Sequence, residues 1–416
     1  MKKYLIFTRR ISDMGGAQLY VLRRCLHLAN IGYRVYIIVT DHSDYFPLKE
    51  KFGEIPLIVI PEMKKRVASL SRRKQETIIR SIIDTIGSSD SYYIESHTLS
   101  AIEWGELVAA EIHARHLAYP LSEPSVRDYK YKPGIRIFEE KLDNGEFFGC
   151  SSYSLKEIFG RDDVPPHFIN IGYDESELRE TCIPSINIKK CQDRYTVLTI
   201  SRLDKTYIEV LADAVSEMAL KYPDKSFQLL IAGGCRDSAR EDYLKNNYNN
   251  VHYQQANLDI RYLGYIDTLG RDIFKLADVF VGMGTASINA ISQGCVTINI
   301  DPRNGMKRAS GFFGIDTSNF AYPEADNTFS IFSKLEEAFL MNASEVQYVR
   351  KMGRRLFEEQ FEINTCFCKI DDAINSIKPT NMRESLRLSD FYRMRVRITL
   401  EIRKKAKEIT SFFNKV

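Results

Sequence analysis

Two stretches of this chain repeat one order of elements, and that repetition limits the folds open to it. Tyr4-Leu5-Ile6-Phe7-Thr8 reads as a strand, followed by the loop Ser12-Asp13-Met14-Gly15-Gly16. Ala17 to Ile31 carries apolar residues at helical spacing, Gly32 stops it, and Val35 to Val39 forms a second strand. Unalternated apolar strands joined through a helix make a βαβ unit in a parallel sheet covered on both faces. The order restarts with strand Thr196 to Ile200, helix Ile208 to Lys221, strand Phe227 to Ala232 and the pair Gly233-Gly234.

Further strands are expected at Tyr92 to Ile94, Leu117 to Leu121 and Phe147 to Cys150, with a helix over Ala101 to Ala114. In the second half, shorter units are expected at Val251 to Tyr253, Val279 to Val281 and Val296 to Ile300. A helical pattern after Asp326 should end near Ile377, before Pro379. Periodicity lapses around Pro184 to Lys190, where the linker is placed. The expected fold class is α/β, with two Rossmann-like domains (1–183 and 191–378) whose parallel sheets face a cleft, plus a basic amphipathic helical tail (379–416). Ligands of such open sheets bind at the carboxyl ends of the strands.

The chain has 416 residues, 44% hydrophobic and 27% charged, enough for two globular cores. Its apolar start turns to Arg9-Arg10 too soon for a signal peptide, and no apolar run approaches the roughly 18 residues that span a bilayer. Eight cysteines are scattered without CxxC spacing, which suits reduced thiols and a cytoplasmic location. The net charge of +3 is unevenly spread. Residues 379–416 hold ten Lys/Arg and four Asp/Glu, while the rest holds 48 basic against 51 acidic residues. An anionic partner is therefore expected for the tail and not for the body, and nucleic acid is not an expected partner.

Three segments carry chemistry. Gly15-Gly16 lies between strand and helix, either as a tight turn alone or as a place where an anion meets backbone and helix N-terminus. Ser201-Arg202-Leu203-Asp204-Lys205 closes the first strand of the second domain, where a guanidinium and an ammonium suit a pyrophosphate. Val281-Gly282-Met283-Gly284-Thr285-Ala286-Ser287 passes from strand through glycine turn to helix, offering the amides of Gly284 to Ser287 to a phosphate. Asn289, one turn in, is placed to reach a ribose hydroxyl.

In this order the segments resemble the GT-B glycosyltransferases, specifically the family-4 retaining enzymes related to sucrose and glycogen synthases, over roughly residues 1–375. Met14-Gly15-Gly16-Ala17 is similar to that family's first glycine loop, and Asn170-Ile171-Gly172-Tyr173-Asp174 to its asparagine-glycine-x-aspartate segment. Ser201-Arg202-Leu203-Asp204-Lys205 resembles its phosphate-binding strand end. Leu263-Gly264-Tyr265 and Leu276-Ala277-Asp278-Val279-Phe280-Val281 look like its nucleobase-binding pair, with backbone near Gly264-Tyr265 against the base. The resemblance implies a metal-independent hexosyltransferase without a cofactor, its co-substrate a nucleotide-diphosphate sugar. Its acceptor would be a glycan, a lipid-linked molecule or a protein, in cell-surface polysaccharide synthesis. The implied donor-binding residues are Gly15, Gly16, Arg202, Lys205, Gly264, Tyr265, Gly284, Thr285, Ala286 and Asn289.

The sequence departs from that pattern. The family has two glutamates seven residues apart around its last glycine loop. Here the loop is too short for the first, and Asn289-Ala290 stands in place of the second Glu-Ala pair. The family lysine five residues beyond the arginine falls on Tyr207, leaving Lys205 as its substitute. In the first domain, His97 after the strand Tyr92 to Ile94 is either a buried structural histidine or a sugar ligand. His116 and Glu123 flank the next strand, and Glu123 or His97 is the expected contact to acceptor or transferred sugar.

Phe391, Met394, Ile398, Ile402, Ile409 and Phe413 fall on one helical face, with Arg393, Arg397, Arg403, Lys404, Lys405 and Lys407 around it. Such a helix over 388–416 either lies on an anionic membrane surface, making the protein peripheral on its inner face, or packs on protein as a partner-subunit contact. Two other functions stay open: a catalytically silent relative that binds nucleotide sugar or a partner, and a sugar-nucleotide epimerase.

Overall fold

The computed structural model describes residues 2–11, 16–41, 55–121, 132–178, 193–234, 255–266, 269–320 and 327–381, with single positions at 180, 190, 239, 241–243, 246, 398 and 402. Gly15, Glu123, the linker segment 184–189, the strand expected at Val251 to Tyr253 and most of the tail lie outside these residues. Among the described residues no helix is long and apolar enough to cross a membrane. Packing divides the chain into two units, one of 1–171 with 367–416 and the other of 172–366.

The first unit is built on β1 (Lys3–Phe7), β2 (Arg34–Val39), β3 (Leu57–Val59), β4 (Tyr92–Ser96) and β5 (Arg115–Ala118). All pair in parallel in the order β3-β2-β1-β4-β5. β1 and β2 are buried almost throughout, as expected of strands covered on both faces. The helices are α1 (Gly16–Asn30), α2 (Arg72–Ile86), α3 (Leu99–Ile112), α4 (Lys132–Asp143) and α5 (Ser152–Phe159). Ser71 starts α2 by accepting the Lys74 amide, and Thr98 starts α3 by accepting that of Ala101. Ile78, Ile79, Ile82 and Ile86 bury one face of α2. α3 is the central helix, buried from Ala101 through Ala110 and carrying the single tryptophan, Trp104. The strand expected at Phe147 to Cys150 reduces to isolated bridges, Phe147 with Ala118 and Gly149 with Phe168.

The second unit holds β6 (Arg194–Ile200), β7 (Ser226–Ala232), β8 (Leu258–Gly264), β9 (Val279–Gly282), β10 (Val296–Asp301), β11 (Arg308–Phe312) and β12 (Phe329–Ser330). Their order is β12-β11-β10-β9-β6-β7-β8, with β11 antiparallel to both neighbours and the rest parallel. Around the sheet lie α6 (Tyr207–Lys221), α7 (Arg271–Lys275), α8 (Thr285–Ser292), α9 (Ile331–Leu340) and α10 (Ala343–Leu356), and α11 (Ile363–Ser376) follows them in the chain. The long helical pattern read after Asp326 is thus three helices. Met341 turns extended after α9, and Asn342 with Glu345 forms a capping box that restarts the chain as α10.

The packing boundaries fall earlier than the lapse in periodicity. Tyr173 and Leu178 join an apolar cluster of the second unit with Phe357 and Phe361. From Phe367 onward α11 returns to the first unit, where Phe367 meets His27 and Tyr20, Asp371 pairs with Arg24, and Arg115 donates to the Asn375 carbonyl. Thr380 N–H then bonds the Ala114 carbonyl.

Candidate functional site

In each sheet the strand order reverses once beside its first strand, between β1 and β4 and between β6 and β9. Such a switch point opens a crevice at the carboxyl ends of the strands.

In the second unit those ends are tied together. Ser201 N–H bonds the Ala232 carbonyl at 3.0 Å, Leu203 N–H bonds Gly234 at 3.1 Å, and Gly233 N–H bonds Gly264 at 2.9 Å. The backbones pass so close that a Cβ on Gly233, whose φ is 144°, would sit 1.7 Å from the Ser201 oxygen. On this platform Arg202 is exposed, its Nε 3.1 Å from Asp204 Oδ1. Lys205 N–H closes a turn on the Arg202 carbonyl, so both cations belong to one turn at the switch point. Burial first, then the nearby charge of Arg202, pushes the Lys205 ammonium below its ordinary range against a smaller opposing effect of Asp204. Tyr265 is 63% exposed, and a Cβ added at Gly234 would meet its Cβ at 3.4 Å and its ring edge at 3.5 Å. Tyr207 is elsewhere: the first residue of α6, it is wholly buried with its hydroxyl 3.0 Å from Thr199 Oγ1. It belongs to the core and does not occupy ligand space.

Gly284 caps α8 with a φ of 67°, a conformation that favours glycine. Its N–H is taken by the Phe320 carbonyl at 2.8 Å, and Ser287 N–H bonds back to Gly284 at 3.2 Å. Among the described residues the amides left for an anion are those of Thr285 and Ala286, half-buried, and not all four from Gly284 to Ser287. In the same helix Ser287 Oγ and Asn289 Oδ1 are buried without a hydrogen-bond partner. An unpaired buried oxygen costs about 1–3 kcal/mol, so two in one short helix point to a ligand or water that completes them. Arg202 and Lys205 thus follow β6, and the Thr285 and Ala286 amides and Asn289 follow β9, the two strands that flank the reversal, and groups of these kinds suit an anion bearing hydroxyl groups.

In the first unit His97 directly follows β4. Its N–H bonds the Phe7 carbonyl at the end of β1, and its carbonyl accepts Leu121 N–H. It therefore sits at that sheet's reversal, yet it is 1% exposed. Its Nε2 lies 2.8 Å from Glu95 Oε1, and its Nδ1 has no partner. Glu95 also accepts from Tyr4 (2.7 Å), Tyr20 (2.5 Å) and Arg24 Nε (3.1 Å). Burial works to raise the Glu95 carboxyl, but Arg24, His97 and Tyr20 outweigh it and bring it down to about 2. Arg24 reaches on to Asp371 at 2.6 Å.

His116 lies in a second buried network. Its Nδ1 is 2.7 Å from Glu106, which Lys141 also binds at 2.9 Å, and its Nε2 is 2.9 Å from Ser96 Oγ. A serine, histidine and carboxylate in series resemble a hydrolytic triad, but every member is buried. A Cβ on Gly105 of α3 would come within 2.4 Å of Ser96 Oγ, so the helix closes the space and the network is structural.

Sequence reasoning found His97 but not Glu95, Arg24 or Asp371. The one available signal was Glu95 itself, a carboxylate two residues before a histidine and so on the same face of a strand.

No family model matches the chain, and no curated protein matches its sequence. Solved structures do. HepE from Anabaena, in complex with UDP and glucose, is 13% identical with a TM-score of 0.60, over 90% of this chain and 100% of that one. A glycosyltransferase from Rickettsia africae is 15% identical with a TM-score of 0.64, over 90% and 98%. Sucrose-phosphate synthase from Thermosynechococcus elongatus is 16% identical with a TM-score of 0.58, also over 90% and 98%. Likeness at this identity establishes architecture: the chain has the α/β fold of these GT-B proteins, with a mainly parallel sheet in each of its two units.

Proposed function

We propose that this chain is a glycosyltransferase that takes a hexose from a nucleoside-diphosphate sugar and passes it to a glycan, lipid-linked or protein acceptor. The observation that carries this reading is that Arg202 and Lys205 follow β6 while the Thr285 and Ala286 amides follow β9, the adjacent strands at which the sheet order reverses. Two of the similar structures support uridine as the base, since HepE was solved with UDP-glucose and the Escherichia coli trehalose-6-phosphate enzyme with UDP-2-fluoro glucose.

The chemistry asks little covalent work of the protein. As the bond between sugar and diphosphate breaks, negative charge grows on the leaving phosphate. Arg202, Lys205 and the two amides stabilise that charge more in the transition state than before it. In this reading the two cations and two amides take the place of a divalent metal, and retention at the anomeric carbon is carried over from the resemblance, with the acceptor attacking from the face that the diphosphate leaves. Asn289 meets ribose hydroxyls through its open Oδ1. In the first unit, His97 is 1% exposed and held by Glu95, so its part in this reading is to fix the end of β4 and not to touch the acceptor sugar.

A second reading is a subunit that binds the nucleotide sugar without turning it over. Its support is the buried Tyr207 and the uncharged Asn289, where the family places a lysine and a glutamate. Calorimetry with UDP, GDP, ADP and their sugar conjugates, on the protein and on Arg202→Ala, tests the site. Selective binding lost in the variant supports it, and no binding to any nucleotide rejects both readings. Slow release of glucose from UDP-glucose then separates the enzyme from the silent subunit.

A further inference from the structure

The second unit has an open groove at the other end of its sheet from the nucleotide site. β11 pairs Arg308 with Asp301 at the carboxyl end of β10 and Phe312 with Ile298. The chain therefore runs towards the amino edge, where residues 314–316 meet α9 and α10. The groove has a volume of about 630 Å³. Phe312 and Val349 form its buried floor, and Ile315, Leu340 and Tyr348 stand 43%, 62% and 58% exposed around it. Asp316, Glu337 and Glu345 line it, with no basic side chain among the lining residues. Lys334, which is 6% exposed, bonds Asp316 at 2.8 Å and Glu337 at 2.9 Å, so one lysine is shared by two of the three carboxylates and the rim stays negative.

An amphipathic helix seats its apolar side in such a groove through residues spaced by three, four and seven. The chain carries a segment of that character with the opposite charge. Met394, Ile398, Ile402, Ile409 and Phe413 have helical spacing, and residues 379–416 carry ten basic against four acidic side chains. Of this segment Ile398 and Ile402 are described. Both are helical, one turn apart, and 49% and 63% exposed. Among the described residues, then, nothing fills a groove with an acidic rim, and two isoleucines of a basic segment are exposed.

We infer that the groove receives the segment 391–413 of a second copy. A two-fold dimer satisfies both surfaces at once, because each copy lends its tail and receives the other's. The apolar contacts supply most of the affinity, while the charges set orientation and rate, so the association weakens with salt. This inference does not depend on the activity proposed above.

The test is sedimentation velocity of the full chain across a wide range of concentration. The expected result is a dimer that becomes a monomer when the chain ends at Arg387. Leu340→Glu in the groove and Ile402→Glu in the segment, both at exposed positions, should each weaken dimerisation by roughly tenfold or more. Glu337→Lys should weaken it too, and Lys404→Glu with Lys405→Glu in the same chain should restore it. Circular dichroism and thermal unfolding report that each variant is folded. A full chain that sediments as a monomer, or a dimer that survives removal of 388–416, overturns the inference. Full-length monomers that float with phosphatidylglycerol vesicles, indifferent to Leu340→Glu, overturn it in favour of a membrane contact.

Discussion

His97 Nε2 lies 2.8 Å from Glu95 Oε1 at the end of β4, inside a network that water does not reach. The carboxylate is the hub of that network and holds Tyr4, Tyr20, Arg24 and His97 at once.

The hub makes the stability of the first unit depend on pH. Glu95 has a folded value of about 2 against an ordinary 4.5. A depressed carboxyl contributes stability that is fully present above its unfolded value and is lost as pH falls through the folded one. The window is therefore pH 4.5 down to 2, and the contribution is about 3 kcal/mol. Trp104, the single tryptophan, is buried in this unit, so its fluorescence reports the unit's unfolding in denaturant. Wild type should lose stability steeply across that window. Glu95→Gln should begin about 3–5 kcal/mol lower at neutral pH, because among the described residues Arg24 keeps only Asp371 as a carboxylate partner, and should show a flatter acid limb. Parallel acid limbs would show that Glu95 is not the group responsible.

Arg202 and Lys205 should both matter for nucleotide binding, in different ways. Truncating either to alanine removes a charge-assisted contact and should weaken UDP binding by about 10- to 100-fold. Lys205 carries a further signature, since burial and then Arg202 hold its ammonium below the ordinary 10.5. A cation lost on deprotonation makes affinity fall as pH rises, and here the fall should begin below the range of an ordinary lysine. Calorimetry across alkaline pH should show that slope in wild type and not in Lys205→Arg. A slope that persists in Lys205→Arg assigns the titration to another group.

Tyr207 stands where the resemblance called for a lysine, and its burial decides what it does. Tyr207→Phe loses the hydroxyl's hydrogen bonds to Thr199 and Ser201 and should cost about 1–2 kcal/mol of stability without changing UDP affinity. Tyr207→Lys should not restore the family's chemistry. It places an unpaired ammonium in the core beside Leu211 and Val215, which should cost more than about 3 kcal/mol. Thermal unfolding followed by circular dichroism, with UDP titration of the folded variant, separates the two. Weakened UDP binding in Tyr207→Phe would return the hydroxyl to the site.

What the sequence shows of this molecule follows the range of the interactions concerned. Both βαβ openings are legible because periodicity and glycine stops are local, and β1, β2, β6 and β7 fall within a residue or two of their expected ends. Arg202-Leu203-Asp204-Lys205 and the Gly284 turn are legible for the same reason, as each lies at the end of an apolar strand. The Arg24–Asp371 pair spans 347 positions and has no local signature. The return of α11 to the first unit depends on that pair and on Phe367, so the sequence places the boundary only where periodicity lapses. Tyr207 misleads at sequence level because a count of residues from Arg202 does not say which face of α6 it occupies.

Two glycines at the proposed nucleotide site make opposite demands, and substituting each with alanine separates packing from binding. At Gly233 an added Cβ meets the Ser201 backbone oxygen at 1.7 Å, and no side chain can move aside. Gly233→Ala must pull the ends of β6 and β7 apart, with a cost above about 3 kcal/mol and loss of UDP binding with the fold. At Gly284 an added Cβ meets nothing within 4 Å, and the only obstacle is the φ of 67°. That strain costs about 1–2 kcal/mol and is relieved by rotating the turn that aims the Thr285 and Ala286 amides. Gly284→Ala should therefore unfold near the wild-type temperature yet bind UDP about tenfold more weakly. Thermal unfolding and calorimetry on the two variants check this directly. Wild-type affinity in Gly284→Ala would remove the α8 amides from the site, and wild-type stability in Gly233→Ala would show that the strand ends are looser than their hydrogen bonds imply.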